Sequence, residues 1–282
     1  MLWIAMAGVI TGILGAVLGV GGGMFLIPVL VFGLHIPMHN AVATSILAVI
    51  ATSSAVASTN VERGTANMRL GMTLEIATTA GAIGGGLLAG ILSSNMLETV
   101  FAAVLIPTII LMWRGRGEDD PDQHPSANAD SREMGALGGT YLDEPTGNCI
   151  VYRVRRLWAG MGISLIAGGL SGLLGTGGGA FHVPGLHLVC GVPVKAAAAT
   201  SNFMIGVTAA ASAFLYYGRG QVIPGVTATA VLGVLVGSAI GSFTNRTIHS
   251  QSVRKLFAVL LAVLAAYMFY HVWSEGGYNV TR

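Results

Sequence analysis

Long apolar runs separated by short polar breaks make up most of the chain. Eight of these runs have roughly the 17–25 residues that an α-helix needs to cross the hydrocarbon core of a bilayer. They lie at 2–20, 41–59, 70–92, 97–113, 157–176, 196–217, 224–243 and 256–273. The pattern predicts an all-α, polytopic helical membrane protein, in which the first run is a membrane helix and not a cleaved leader.

Two further apolar segments, 24–34 and 180–192, are too short to cross a bilayer as ordinary helices. Each contains a proline and follows a glycine triplet. Backbone groups left unpaired by a break cannot face lipid, so such segments must face protein or a watery cavity. We therefore expect both to be broken or re-entrant helices.

The stretch 114–156 is the one long polar segment of the sequence. It contains eight acidic residues between Glu118 and Glu144, and arginines flank it on both sides. Basic residues close to membrane helices mark cytoplasmic loops, so we expect a flexible linker on the cytoplasmic side.

The apolar segments on either side of this linker repeat each other with a constant shift of 156 residues. The sequence LGVGGGMFLIP at 18–28 falls on LGTGGGAFHVP at 174–184, and from 18 to 45 13 of 28 positions are identical. The register continues without a gap to Arg63-Gly64 and Arg219-Gly220. The predicted divisions are a first transmembrane repeat at 1–113, a linker at 114–156, a second repeat at 157–274 and a tail at 275–282.

Two homologous repeats with interrupted helices at matching positions are typical of secondary transporters, whose substrate site lies between the repeats. The basic residues of equivalent loops favour opposite sides of the membrane, which indicates inverted repeats. Four spans plus a re-entrant piece in each half would instead give parallel repeats, and the sequence leaves both arrangements open.

Each glycine triplet allows a sharp turn, and a helix that begins after it presents free N–H groups and the positive end of its dipole. Such helix starts bind anions, and nearby hydroxyls and amides add hydrogen-bond donors. The alternative is that the glycines only allow close packing and that the hydroxyls bond to their own helices. The predicted substrate-binding residues are Gly21, Gly22, Gly23, Thr44, Ser45, Gly177, Gly178, Gly179, Thr200, Ser201 and Asn202.

Three other residues are candidates for anion binding or proton coupling. Arg63 and Arg219 are matched by the repeat, although arginines at span ends often only contact headgroups. His182 lies within the second motif and titrates near neutral pH, so protons are a candidate coupling ion. Glu75 lies just inside its span and is a further proton-relay candidate.

The composition supports this class of protein and excludes others. Only 9% of the residues are charged, against 53% hydrophobic, the mean hydropathy is +0.73, and 41 of the 282 residues are glycine. A net charge of +2 gives no indication of a nucleic-acid partner, so the lipid bilayer and a small anion are the expected partners. Neither the histidines nor the two cysteines have metal-ligand spacing, and no nucleotide-binding loop is present. We expect no metal, no cofactor, no enzymatic activity and no direct use of ATP.

Other functions have weaker sequence support. Gly169-Leu-Ser171-Gly172 fits the pattern of an intramembrane serine protease, with His271 as the candidate base. That pattern is common by chance in a glycine-rich chain. An anion channel and a membrane scaffold that transports nothing are the remaining alternatives.

The doubled motif, with Ala-Thr-Ser at 43–45 and again at 199–201, resembles the sulfite exporter TauE/SafE family of membrane permeases. The resemblance covers essentially all of 1–113 and 157–274. It implies a multi-pass transporter of the cytoplasmic (inner) membrane that exports small sulfur-containing anions such as sulfite or sulfoacetate. The acidic insertion at 118–144 departs from the compact linker that the resemblance implies.

Overall fold

The computed structural model describes residues 1–18, 21–114, 137–143 and 148–244, with short helical pieces at 262–263 and 265–266. The helices of the long described ranges are α1 (Leu2–Leu18), α2 (Gly23–Pro28), α3 (Met38–Glu62), α4 (Met68–Ala89), α5 (Ser94–Arg114), α6 (Leu157–Leu174), α7 (Gly179–Leu188), α8 (Val194–Gly218) and α9 (Pro224–Thr244). Five of them, α3, α4, α6, α8 and α9, are long and apolar enough to cross a membrane. The prediction of a polytopic, all-α membrane protein is thereby confirmed. The predicted run at 256–273 and the tail at 275–282 lie almost entirely outside the described residues.

The two short apolar segments form short helices that begin at the glycine triplets. α2 continues as a π-helical turn, Val29–Gly33, and contains Pro28, while α7 contains Pro184. A proline inside a helix removes a backbone donor, and the π-helical turn follows Pro28 only, since α7 continues as an α-helix beyond Pro184.

α7 runs back along α6 towards the side on which α6 begins. A Cβ placed on Gly178, before α7, would lie 2.9 Å from the carbonyl oxygen of Ala167 late in α6. Beyond the other end of α7, the sulfur of Cys190 would lie 2.6 Å from a Cβ on Gly160, early in α6. The chain therefore reverses direction at the second glycine triplet.

α3 and α8, the two longest helices, pack against each other and run in opposite directions. Near the start of α3, the amide of Asn40 donates to the carbonyl of Gln221, just beyond the end of α8 (2.8 Å). Beyond the other end of α3, the backbone N–H of Asn67 donates to the hydroxyl of Thr200 near the start of α8 (2.9 Å).

The two halves of the chain interlock by exchanging helix partners. α1 packs chiefly against α9, and α4 packs chiefly against α6, so each closest pair takes one helix from each half. A Cβ on Gly8 would lie 2.8 Å from the carbonyl oxygen of Ala230, and one on Gly241 would lie 2.8 Å from that of Ile13. Glycine thus allows backbones to approach without intervening side chains, as is usual between membrane helices.

Corresponding elements of the two halves begin 156 residues apart. α2 and α7 begin at Gly23 and Gly179, and α3 and α8 begin at Met38 and Val194. α4 and α9 follow the same offset. Among these pairs, α3 and α8 run in opposite directions.

Part of the linker is folded and docked on the bundle. Strands β1 (Gly139–Asp143) and β2 (Asn148–Tyr152) pair antiparallel and bury Tyr141 and Tyr152 near Leu70 at the start of α4. The side-chain amide of Asn67 donates to the Leu137 carbonyl (2.9 Å) and to the Tyr152 hydroxyl (3.2 Å). Burial raises the pKa of the Tyr152 phenol. The expectation of a flexible linker is therefore wrong for the hairpin residues, because the alternation of buried and exposed positions in two short strands gives them a face to pack.

Candidate functional site

Both glycine triplets take a backbone shape that other residues adopt at a penalty. Gly21 and Gly22 have φ of 81° and 70°, and Gly177 and Gly178 have φ of 78° and 71°. These left-handed conformations disfavour side chains with a Cβ, so each triplet can turn sharply just before its short helix. Gly22 and Gly178 occupy the position before α2 and α7, where no side chain caps the helix.

The fold brings the two triplets together at the centre of the bundle. A Cβ on Gly21 would lie 3.4 Å from the side chains of both Val49 and Ile205, and one on Gly177 would lie 2.9 Å from the same two side chains. Val49 belongs to α3 and Ile205 to α8, at matching positions of the two halves. We call this region the central junction. The predicted glycines therefore converge, and here they pack against apolar side chains.

In the first half, the predicted hydroxyls are engaged with the protein. The hydroxyl of Thr44 is 3.1 Å from that of Thr227 on α9. Ser45 donates to the carbonyl of Gly175, at the turn after α6 (2.8 Å). Ser45 therefore links the first half to the second triplet's loop.

In the second half, the corresponding polar groups are less fully paired. The Thr200 hydroxyl accepts the Asn67 N–H, but the buried hydroxyl of Ser201 has no hydrogen-bond partner among the described residues. Ser201 lies one helical turn before Ile205, and Asn202 beside it is also buried. A buried donor without a partner is costly, and sites that bind polar ligands often contain such donors.

Two more unpaired groups lie beside the second triplet. Thr176, directly before Gly177, has a buried hydroxyl without a partner among the described residues, and both ring nitrogens of the buried His182 are also unpaired there. Sequence reasoning identified His182 and missed Thr176. The sequence did contain a signal for both residues. Thr176 and His182 are polar, whereas the equivalent residues of the first half, Val20 and Leu26, are apolar.

The central junction is closed in this conformation. All six glycines of the two triplets are buried. An open cavity of about 220 Å³ lies elsewhere, between the start of α4 and the hairpin, where Asn67, Arg69, Gly139 and Tyr152 contribute to its wall. A solute would reach the junction only after helices around it separate.

The two candidate arginines lie away from the triplets. Arg219, directly after α8, donates from Nη1 to the carbonyl of Gly86 (2.7 Å) and from Nη2 to that of Leu87 (3.4 Å). These are among the last four carbonyls of α4, which lack the regular i+4 partner of a helix, although the Gly90 N–H also donates to Leu87 (3.1 Å). Arg63 directly follows α3 and is exposed. The geometry gives Arg219 a structural contact at a helix end.

Replacing Arg219 with alanine is expected to lower stability by about 1 kcal/mol, because the final carbonyls of α4 lose a charged donor. A change of that size lowers the melting temperature by roughly 2–4 °C in a chain of this length. Arg63→Ala is the matched control and should leave the melting temperature unchanged. Thermal unfolding of the detergent-solubilised variants measures both. Equal shifts in the two variants would show that the Arg219 contact contributes nothing.

Ser171 is the candidate nucleophile of the protease alternative. It is buried in α6, and its neighbours Gly172 and Leu173 accept hydrogen bonds from the Tyr216 hydroxyl (3.0 and 3.1 Å). The candidate base, His271, lies outside the described residues. Within the described part of the chain, no group of three metal-ligating side chains occurs.

Interlocked apolar helices, glycine-mediated contacts and two broken segments that meet at the centre define a multi-pass membrane protein of transporter type. The chain belongs to the sulfite exporter TauE/SafE family, whose profile matches residues 4–268.

Named relatives agree with this class. The chain is 24% identical over 271 residues to the probable membrane transporter protein YunE of Bacillus subtilis, which covers 93% of this chain and 95% of the relative. It is 25% identical over 276 residues to the probable membrane transporter protein MJ0441 of Methanocaldococcus jannaschii, which covers 93% and 92%. A probable membrane transporter protein of Xylella fastidiosa is 22% identical, with 95% of both chains covered. No solved structure matches this chain. The protein is a membrane transporter.

Proposed function

We propose that this protein is a secondary transporter that exports small sulfur-containing anions, such as sulfite or sulfoacetate, across the cytoplasmic membrane. The family name supports this substrate class. Sulfonates and sulfite present several oxygen acceptors around one sulfur, so a site for them needs several hydrogen-bond donors and little negative charge.

The observation that carries the proposal is the group of unpaired donors beside the second triplet. Thr176 and Ser201 offer hydroxyls, and His182 offers a ring N–H, all without partners among the described residues. Thr176 directly precedes Gly177 and the His182 ring lies against Gly178, while Ser201 is one helical turn before Ile205, whose side chain faces Gly177. Oxygen atoms of an anion would satisfy these groups, and the start of α7 would add its dipole. The predicted binding residues of the first half would shape the same site from the other repeat.

Transport would proceed by alternating access between two inverted repeats. The antiparallel directions of α3 and α8 and the constant 156-residue offset support this arrangement. In the proposed cycle, the central junction opens first to one side and then to the other, and the structure corresponds to its closed state. Separation of Val49 from Ile205 is the movement that exposes the anion site.

The distribution of basic residues supports a cytoplasmic position for the linker. Arg63 and Arg69 lie at the turn between α3 and α4, beside the hairpin, and Arg153, Arg155 and Arg156 lie between the hairpin and α6. All five are exposed at one end of the bundle. Arg219 lies at the opposite end. By the positive-inside rule, this distribution supports a cytoplasmic position for the hairpin end.

Flux into proteoliposomes tests the proposed function. Labelled sulfite, sulfoacetate and sulfate, with a neutral solute as the control, are compared in vesicles with and without the protein. We expect faster movement of sulfite or sulfoacetate only in vesicles that contain the protein, and acceleration by unlabelled anion on the far side. Rates equal to empty vesicles for every anion would refute the proposal. A flux that does not saturate with anion concentration, and that unlabelled anion on the far side does not accelerate, would favour the channel alternative.

A further inference from the structure

A buried carboxylate lies in α4, outside the central junction. Glu75 is only 8% exposed and is the one acidic side chain that is buried in the described ranges. It lies in a helix long and apolar enough to cross the membrane. Ionisable groups in such positions are expensive to bury, and those that are retained usually serve ion or proton pathways.

Only one of the two carboxylate oxygens of Glu75 accepts hydrogen bonds from the described residues. The hydroxyls of Thr208 on α8 (2.8 Å) and Thr79 on α4 (3.0 Å) both donate to Oε1. Its second oxygen, Oε2, is buried and has no partner among the described residues. A charged carboxylate with one bare oxygen is strongly disfavoured at low dielectric, whereas a proton on Oε2 removes the charge. We propose that Glu75 is the binding site of the proton that drives transport.

Thr208 matches a threonine of the first half that contacts a glycine loop. Its counterpart in the first half is Thr52, whose hydroxyl lies 3.1 Å from the carbonyl oxygen of Gly21 in the first triplet. Both threonines also lie within hydrogen-bond distance of a carbonyl in their own helices. Thr208 differs from Thr52 because its hydrogen bond to another element goes to Glu75 and not to a glycine loop. Val231 holds the Glu75 position in the other half, so only the second half carries this acid.

A threonine hydroxyl has one proton to donate, so Thr208 cannot serve all its acceptors at once. When Glu75 is ionised, its oxygens are stronger acceptors and hold Thr208. When Glu75 is protonated, Thr208 is freer to bond elsewhere, and Gly177 is the residue that matches Gly21 in the 156-residue register. A bond from Thr208 to the Gly177 carbonyl, equivalent to that of Thr52, would couple proton binding to the second triplet's loop.

Few other titratable groups face Glu75 from the elements around it. α4 packs against α6 and α8, and its first turns also meet α7 and the hairpin. α6 carries no titratable side chain, and Lys195 and Arg219 lie at opposite ends of α8. The remaining groups on these elements are Arg69 of α4, Tyr216 and Tyr217 of α8, His182 and His187 of α7, and Tyr141, Asp143, Cys149 and Tyr152 of the hairpin. Of these, His182 is the competing proton site, because it too is buried and unpaired.

The inference rests on the proposed function, and a spectroscopic test separates the two. Infrared difference spectra of the reconstituted full-length protein at several pH values report the carbonyl stretch of a protonated carboxylic acid. We expect this band in the wild type and in Glu62→Gln, a control at an exposed carboxyl at the end of α3, and its loss in Glu75→Gln. An unchanged band in Glu75→Gln overturns the inference, whatever the protein transports.

Flux under a pH gradient provides the second measurement, with sulfoacetate as the probe. With the membrane potential held at zero, one pH unit can sustain about a tenfold accumulation ratio if one proton is coupled to each sulfoacetate dianion. We expect accumulation in the wild type and in Glu62→Gln. Glu75→Gln should show none, while exchange of labelled for unlabelled sulfoacetate continues. Accumulation retained in Glu75→Gln refutes Glu75 as the coupling site. Absence of all sulfoacetate flux in the wild type would count against the proposed function, with the infrared result still deciding the proton site.

Discussion

Replacing Gly168 with valine is expected to prevent accumulation of the folded protein. Gly168 lies on α6 where that helix packs along α4, and an added Cβ would overlap the backbone carbonyl of Thr78. A backbone group cannot rotate away as a side chain can, so α4 and α6 would have to separate. Overpacking of this kind destabilises by about 3 kcal/mol or more.

The matched control is Gly162→Val on the same helix. A Cβ at Gly162 would have nothing within 4 Å, so this variant carries the same change in helix propensity without the clash. Size-exclusion profiles of the detergent-solubilised proteins measure the monodisperse fraction. We expect that fraction to be lost for Gly168→Val and retained for Gly162→Val. Equal yields would mean that α4 and α6 are not in the contact described.

Replacing Gly178 with valine is expected to abolish transport while leaving insertion into the membrane intact. Its left-handed φ of 71° makes any L-residue unfavourable by roughly 1–2 kcal/mol. The new Cβ would also lie 2.9 Å from the Ala167 carbonyl oxygen and 3.2 Å from the His182 ring. The variant therefore displaces the second triplet and the nearby unpaired donors.

Gly64→Val separates the two causes. Gly64 also has a positive φ, of 64°, but a Cβ there would meet nothing within 4 Å. The control therefore carries the conformational penalty without the contact at the site. Sulfoacetate flux per reconstituted molecule should vanish in Gly178→Val and persist in Gly64→Val. Normal flux in Gly178→Val would mean that the second triplet is not part of the transport site.

The sequence predicted the helices well because each membrane helix must satisfy its own backbone and present apolar side chains to lipid. The predicted run at 196–217 is α8 at Val194–Gly218, and the short run at 180–192 is α7 at Gly179–Leu188. The triplets also predicted the chain breaks, because only glycine adopts the required φ readily. The repeat itself, the inverted orientation and the site assignments remain predictions.

Other features depended on packing that the linear pattern does not encode. α1 packs against α9, and α6 packs against α4, because glycines allow close contacts between the two halves. The 156-residue register relates equivalent helices but does not show which helices are in contact. The hairpin escaped notice because its strands are short and lie within an acidic, polar stretch. Thr176 was missed since a single threonine near glycines is common, and only its buried, unpaired environment distinguishes it.

Cross-linking across the central junction tests the account most directly. Val49→Cys and Ile205→Cys are combined in a chain in which Cys149 and Cys190 are replaced by serine and alanine, and a short thiol-specific reagent joins the new pair. Because both side chains contact Gly21 and Gly177, we expect efficient cross-linking and complete loss of sulfoacetate flux, while either single cysteine variant treated in the same way continues to transport. Full flux through the cross-linked protein would contradict the claim that the two halves separate there to pass the anion.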